Sequence, residues 1–470
     1  MTGGSRGPSG NDLAFAGVAE LGRLLKRRKV SSYELTELYL SRLGQIGPEY
    51  NAVAALTAER AHREARRADE RLKRGDGRGP LDGIPYGAKD LVAARGAPTT
   101  WGAPPYADRV LDFDAAVVGR LQRAGSVLAA KLAMVELAGG GGYRYPSASL
   151  QGPGRTPWDR GRWSGGSSSG SGAAVAAGLV PWAIGSETSG SIITPAAYCG
   201  VTGLRPTYGL VSRRGAMALS WTLDKLGPMA RSAEDCALAL EAMAGPDKGD
   251  PTSAGKRFKW APVKPRELRK LRVGFAAADF GQMAAPEARG ALAAGLDAVR
   301  GLGVELVEVA LPAELPYGPA VSTVIYAEGS TAFAPLIESD LFEQLVDARQ
   351  KVGLRAGLEV AARDYIDALR VRTQVQAAFR ELFGQVDVIV SGARGAVASA
   401  IVEALDVQRG PSGGGEKEQP PNNAALIAAG NLAGLPALAL PCGFSEGGLP
   451  VGLQFVGGAF EENLLLSLGA

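Results

Sequence analysis

The sequence predicts an α/β layered fold with a partly parallel sheet, on three observations. Helical and strand-like hydrophobic periods alternate along much of the 470 residues. Short apolar runs such as SVLAAK, WAIGSE and ALALP each follow a helical segment, the alternation that defines the layered class. A hydrophobic fraction of 46% over this length is ample for a sizeable core, so the chain is not disordered.

The elements follow in order. Ser31 and Glu34 stand at capping-box spacing ahead of LTELYLSRLGQI, which predicts a helix start. Ala54, Ala58, Ala61, Ala65, Ala68 and Leu72 recur at spacings of four and three and trace the buried stripe of a second helix. Gly79 and Pro80 punctuate the chain, and residues 81–85 continue as loop. DAAVVGRLQRAG reads as a helix stopped by Gly125, with SVLAAK a short buried strand after it. Residues 139–172 are rich in Gly, Ser and Pro, yet carry Tyr143, Tyr145, Trp158 and Trp163. A flexible linker rarely holds such aromatics, so an ordered functional loop is expected. AAVAAGLV reads as helix, WAIGSE as buried strand, and TSGSIITPAAYCG as a turn into another helix. Residues 250–267 are polar, basic and Pro-containing, a surface connection. LRVGFAA and GVELVEVAL then flank the helix PEARGALAAGLDAVRGLG as strands. The tail gives a DVIV strand, a loop-rich stretch (391–421) with PSGGGEKEQPP at the surface, a helix, and the strands ALALP and VGLQFVG.

Composition excludes several function classes. With 51 basic and 48 acidic side chains the net charge is +3, too small to argue for nucleic-acid binding. The single histidine, His62, excludes a His-based zinc site, a HExxH helix and a Cys2His2 finger, so no metal and no cofactor is expected. His62 lies beside the alanine stripe in a run dense with Arg and Glu, the setting of a partly solvated helical residue. Any acid–base chemistry must therefore use a group other than imidazole. Cys199, Cys236 and Cys442 are odd in number, far apart and without CxxC spacing, which predicts free thiols in a reducing compartment. The start MTGGSRGPSG is polar and no run of 18 apolar residues occurs, so a cytoplasmic protein outside the membrane is expected.

Three motif matches fail. Residues 166–170 satisfy GxSxG with Ser168 at the centre, but that elbow needs a histidine later in the chain. Residues 253–256 satisfy SxxK without the SDN or KTG that accompany it. Gly139 to Gly142 suggest a phosphate cradle, yet no GK[ST] follows. What remains is chemistry by serine and lysine. Lys89 ends the turn-rich, small-residue run GIPYGAK. Burial there would disfavour the ammonium and leave a neutral general base. On spacing alone, a solvated surface lysine is the simpler reading of the same residues.

The segments GIPYGAKD, GGSSSGSGAAVAAGLVPWAIGSETSGSIITPAAYCGVTGLRPTYGLVS and LDKLGPMARS together closely resemble the amidase signature family of Ser-Ser-Lys hydrolases. Weaker similarity runs from the SSYEL helix to NLAGLPALALPCGFSEGGLPVGLQFVG. The resemblance implies a single large α/β/α layered domain with a central mixed β-sheet covered by helices. It would span 11–470, after a disordered or tag-like start (1–10). Within it lie a helical N-terminal part (11–75), a signature core (80–245) and a C-terminal part (268–470) that completes the same fold.

Carried over by position, the resemblance implies Lys89 as base, Ser167 as bridging serine behind a cis Gly166–Ser167 peptide, and Ser191 as nucleophile. The oxyanion would be met by backbone N–H groups of Thr188, Ser189 and Gly190. For the other serines of the loop, hydrogen bonding to backbone is the ordinary role. Gly140, Gly141, Gly142 and Tyr143, with Trp158 and Trp163, read as an aromatic rim for bulky substrates or as packing of the loop itself. Three departures from the common family pattern stand out. Glu187-Thr188-Ser189-Gly190-Ser191 replaces Asp-x-Gly-Gly-Ser, Ile193 replaces an Arg, and SGARG replaces a Thr-Pro run after DVIV. The implied activity is that of an amidase, with ester and carbamate (urethane) hydrolysis beside it. The alternative is the glutaminase (A-type) component of a tRNA-dependent amidotransferase. The expected partner is a small-molecule amide, ester or carbamate, with no nucleic acid and no membrane, acting as a monomer or homodimer.

Overall fold

The computed structural model describes residues 10–405 and 420–470. The polar start up to residue 9 and the surface loop expected at 411–421, up to residue 419, lie outside the described residues. Thirteen strands occur among those described: β1 (Val53–Leu56), β2 (Pro85–Lys89), β3 (Val127–Leu132), β4 (Arg155–Thr156), β5 (Asp159–Trp163), β6 (Trp182–Glu187), β7 (Thr202–Arg205), β8 (Lys225–Ala230), β9 (Arg272–Phe275), β10 (Glu305–Glu308), β11 (Val388–Gly392), β12 (Ala437–Phe444) and β13 (Pro450–Gly457). Strands β4 and β5 form a separate ribbon. The other eleven build one mixed sheet in the order β1-β3-β2-β6-β8-β7-β12-β13-β11-β9-β10. The β3-β2-β6 and β11-β9-β10 groups are parallel, and the strands between them pair antiparallel. This is the mixed sheet covered by helices that the sequence implied.

Side chains alternate between the two faces of each strand, and on the central strands both faces are buried. On β3, Leu128 joins one apolar cluster, while Val127 and Ala129 join the other. Val388 and Val390 likewise separate from Ile389 on β11. Burial on both sides explains why SVLAAK and DVIV read as continuous apolar runs rather than as alternating ones. The helix Ser32–Gln45 begins with the expected capping box, Ser31 and Glu34 each closing on the other's backbone N–H. Cys199 and Cys236 are buried and Cys442 half-buried, and all three are free thiols. No helix among the described residues is long and apolar enough to cross a membrane.

Two expectations need correction. The alanine stripe does not start at Ala54, because 53–56 pair with β3 as an edge strand and the helix runs Ala58–Arg74. Ala61, Ala65 and Ala68 are fully buried as expected, but Ala54 belongs to the sheet. The N-terminal part is therefore not purely helical. In the second, AAVAAGLV is only half helical: the helix starts earlier, at Ser169, inside the Gly-Ser run, and ends at Ala176.

Next to Lys89, Asp90 and Lys131 form a fully buried ion pair, with Lys131 Nζ 2.7 Å from Asp90 Oδ1. The Thr100 N–H donates to the other carboxylate oxygen, and Lys131 also donates to Thr99 Oγ1. The pair fastens β3 to the chain leaving β2. Asp90→Ala leaves a buried cation without its counter-charge, an expected cost of about 3–5 kcal/mol. Chemical denaturation of the purified variant measures it, and a loss under about 1 kcal/mol would mean that Lys131 is satisfied without Asp90.

Candidate active site

Strands β2 and β6 run side by side in parallel, so both end at the same edge of the sheet. Lys89 is the last residue of β2, and Ser186 and Glu187 are the last of β6. Open α/β sheets place their chemistry at such strand ends. Lys89 is fully buried. Its Nζ donates to Ser167 Oγ at 2.7 Å and to Ser186 Oγ at 2.9 Å. Burial pushes the Lys89 pKa down to about 7, against the opposing pull of Asp224 and Glu187. A substantial neutral fraction is therefore present at neutral pH.

Ser167 lies 1% exposed on the loop ahead of the helix Ser169–Ala176, and the Gly166–Ser167 peptide is cis. The next residue ties this loop to the segment of Ser191, since Ser168 N donates to the Ser191 carbonyl at 3.2 Å. Ser168 Oγ bonds to the Ser186 backbone, Ser169 Oγ to Ala133 O and Ser171 Oγ to Ile184 O. These serines hold the loop against β6 and the chain after β3. Their hydroxyls are used by backbone, the ordinary role expected for these serines.

Ser191, 9% exposed, sits in a tight turn between β6 and the helix Ile193–Cys199. Gly190 has φ +90°, a left-handed value that only glycine adopts freely. Ser189, where glycine is common in the family, is absent from the positive-φ positions, so its Cβ causes no conflict. Among the described residues, the backbone N–H groups of Thr188, Ser189, Gly190 and Ser191 have no acceptor. Four successive unpaired donors beside a hydroxyl form an anion-binding concavity.

The turn is held by Glu187. Its Oε2 accepts from the N–H of Ile192 (2.9 Å) and Ile193 (3.0 Å). Its Oε1 accepts from Arg205 Nη1 (2.9 Å) and Asn431 Nδ2 (2.8 Å). Burial would raise the Glu187 pKa, but Arg205, Asn431 and the two N–H groups overcome it and hold the carboxyl at about 2. Thr188 is fixed from the other side by Asp224, which accepts from its hydroxyl at 2.6 Å. Sequence reasoning missed Ser186, Glu187's anchoring role, Arg205, Asp224 and Asn431. Only Glu187 carried a signal, as a departure from the family pattern.

Beyond Thr194 the surface opens into a cavity of about 750 Å³. Gly142 and Tyr143 line it, as does Trp163, while Gly140 and Gly141 do not. Gly140 packs towards Leu219 and Phe333, and Gly141 against the backbone of the helix Ala348–Leu358. Trp158 and Tyr145 are exposed away from the cavity, and the Trp158 indole donates to Cys199 O. Arg394, from the SGARG segment, reaches the wall and donates to Thr194 Oγ1 through Nε and Nη2. His62 contacts Glu37 on a partly exposed helical face and does not line the cavity. No group of metal-ligating residues occurs among the described residues.

The chain belongs to the amidase family, whose model matches residues 34–466. It is 38% identical over 478 residues to the A-type component of the glutamyl-tRNA(Gln) amidotransferase of Methylococcus capsulatus, covering 96% of this chain and 95% of that one. Among solved structures it resembles the peptide amidase of Stenotrophomonas maltophilia, with TM-score 0.82 and 31% identity over 97% of this chain and 95% of that one. It also resembles the A-type component of the glutamyl-tRNA(Gln) amidotransferase of Thermotoga maritima, with TM-score 0.76 and 26% identity over 97% and 94%.

Two outcomes follow from this geometry. Glu187→Gln weakens the hold on the Ile192 and Ile193 N–H groups and is expected to lower kcat about 10- to 100-fold with little change in KM; steady-state kinetics on any accepted amide checks it. His62→Ala should retain full activity, and a large loss would return imidazole to the mechanism.

Proposed function

We propose that the protein hydrolyses C–N bonds of amides through an acyl-enzyme on Ser191, activated by Ser167 and neutral Lys89. The observation that carries the reading is the dry Lys89–Ser167 contact, at the strand edge where the turn of Ser191 presents its unpaired N–H groups. Neutral Lys89 takes the proton of Ser167, which takes that of Ser191, and Ser191 Oγ attacks the amide carbonyl. The oxyanion is received by N–H groups of Thr188, Ser189 and Gly190, a donor set of which each member is typically worth about 2.7–4 kcal/mol. The proton returns through Ser167 to the leaving amine, which departs poorly unless protonated. Water then gives a proton to the same Ser167–Lys89 relay as it attacks the acyl carbonyl, and that proton returns to Ser191 Oγ as the carboxylic acid leaves.

A second reading concerns the amide acted upon. The curated relatives, 36–39% identical over nearly the whole chain, are named as A-type components of glutamyl-tRNA(Gln) amidotransferases, which favours glutamine as the amide and partner chains around this one. The peptide amidase likeness favours a free-standing enzyme. Ester and carbamate cleavage, expected above from the breadth of the family, gains no support from these relatives.

A fluorophosphonate probe with peptide mass spectrometry tests the nucleophile. Label on Ser191, lost in Lys89→Ala, is the expected result; label on Ser168, or none, overturns it. Ser191→Ala should lower kcat at least about 1,000-fold. Glutamine hydrolysis that appears only with co-purifying partner chains would select the amidotransferase reading. Turnover of simple amides by the isolated chain would select the free-standing one.

The pH dependence has a definite sign. The base must be neutral, so kcat/KM rises with pH and levels off above about 7, falling about tenfold per unit below it. The folded pKa lies below that of a free lysine, so between about 7 and 10.5 the unfolded chain holds a proton that the folded one lacks. Stability from this group therefore rises with pH across that window. A profile flat from pH 5 to 9 would exclude Lys89 as the base.

A further inference from the structure

A second, much smaller cavity reaches Ser186, the other partner of Lys89, and shares no wall residue with the one beyond Thr194. Its volume is about 10 Å³, room for a single water molecule. Ser186, Arg213 and Asp224 stand in its wall. Lys225 does too, but it pairs across the sheet with Glu187, so its side chain lies on the opposite face from that of Ser186. Arg213 Nη1 donates to Trp221 O at 2.8 Å and Nη2 to Thr252 Oγ1 at 2.6 Å, whereas its buried Nε has no hydrogen-bond partner. A buried N–H left unmade is costly, and here it borders a space the size of an acceptor. Asp224 accepts from Thr188 Oγ1, Leu219 N and Ser220 N, which leaves one of its roughly four acceptor sites.

The chemistry of the base gives this space a purpose. A neutral lysine amine has two N–H donors and one lone pair. To take the proton of Ser167, Lys89 must turn the lone pair along the 2.7 Å contact, with Ser167 Oγ as donor. Its N–H donors then need another acceptor. Ser186 Oγ, at 2.9 Å, is the one that the described residues provide. A serine that accepts from Lys89 must send its own proton elsewhere, and among the described residues Ser186 Oγ donates to no protein group.

We propose that Ser186 is a positioning residue for Lys89, held in register by one water molecule bound in this cavity. The water accepts from Ser186 Oγ and Arg213 Nε and donates to Asp224. The proposal rests on the reading of Lys89 as the base. With its O–H committed to the water, Ser186 presents only lone pairs to Lys89, and the amine's own lone pair is aimed at Ser167. The same acceptor binds the ammonium more strongly once the proton has moved, because that hydrogen bond is charge-assisted. Ser186 therefore also holds the Lys89 pKa above the value that burial alone would set. The charged groups acting on Lys89 are Asp224, ahead of β8, and Glu187, on β6; both favour its protonated form. Asp90, next along the chain, is engaged by Lys131.

The experiment measures kcat/KM against pH for the protein and for Ser186→Ala, Ser186→Cys and Ser186→Thr, on the amide turned over fastest in a panel. Ser186→Ala is expected to lower the plateau about 5- to 150-fold. It also moves the acid limb down by at least about half a pH unit, because an acceptor of the ammonium is gone. Ser186→Cys, a weak acceptor of similar size, shows both effects even where the alanine variant does not fold. Ser186→Thr keeps the hydroxyl and restores the plateau and the limb. A serine that merely fills space would lower the plateau and leave the limb where it is; that result, or an unchanged plateau in Ser186→Ala, overturns the positioning role. A crystal structure of the unaltered protein tests the water directly. Density for a water within about 3.2 Å of both Ser186 Oγ and Arg213 Nε is the expected finding. A cavity without it, or Arg213 Nε donating to a protein group, overturns the water site. Full activity in Lys89→Ala would sink the reading of the base instead, and the same crystal structure would still decide the water site.

Discussion

The carboxylate of Glu187 is buried from solvent, so the fold must supply donors, and it does so from three separate places. Two come from the backbone directly after the turn of Ser191, one from Arg205 at the end of β7, and one from Asn431 on the helix Leu426–Ala433. An ionised buried carboxyl is stable only when such a set is complete, and removal of any member strands the charge. One residue thus couples the turn of Ser191 to a neighbouring strand and to a helix more than 200 residues away. The turn's own N–H groups are left unpaired because the carboxylate takes the next two along the chain.

Electrostatics at the strand edge then sort themselves by partner, since burial is alike. Glu187, paired with a guanidinium and three hydrogen-bond donors, stays charged, whereas Lys89, given only two hydroxyls as partners, loses charge readily. Lys131, one strand away and just as buried, is given a carboxylate and serves the scaffold. The two lysines differ in chemistry because their partners differ, not because their depth does.

Much of this was legible in the sequence. The capping box, the apolar strands and the Gly-Ser-rich loop each follow from local pattern, and the likeness to a family placed Lys89, Ser167 and Ser191 where the structure brings Lys89 and Ser167 into contact. Local pattern failed where long-range pairing decides. Residues 53–56 continue an alanine period that suits a helix, but pairing with β3 takes them into the sheet. Strands β7 and β8 carry no strand signal of their own, because Gly, Pro, Lys and Arg interrupt their buried apolar residues. The helices Tyr317–Ala332, Ala348–Leu358 and Ala362–Gln385 went unread, since polar and apolar residues mix around them without a clean stripe. Arg205, Asp224 and Asn431 are single residues far apart in sequence, and only the folded chain shows that they share one task.

Gly141 and Gly353 meet backbone to backbone. A Cβ on Gly141 would lie 2.6 Å from Gln350 O, and one on Gly353 would lie 1.8 Å from Gly141 O. Neither position can accept a side chain while the other stays put, so the loop and its helix are locked as a unit and cannot drift under selection. The side of the cavity that Gly142 and Tyr143 line thus stands on a rigid backbone pair, whereas Arg394 reaches the same cavity from the segment that follows β11.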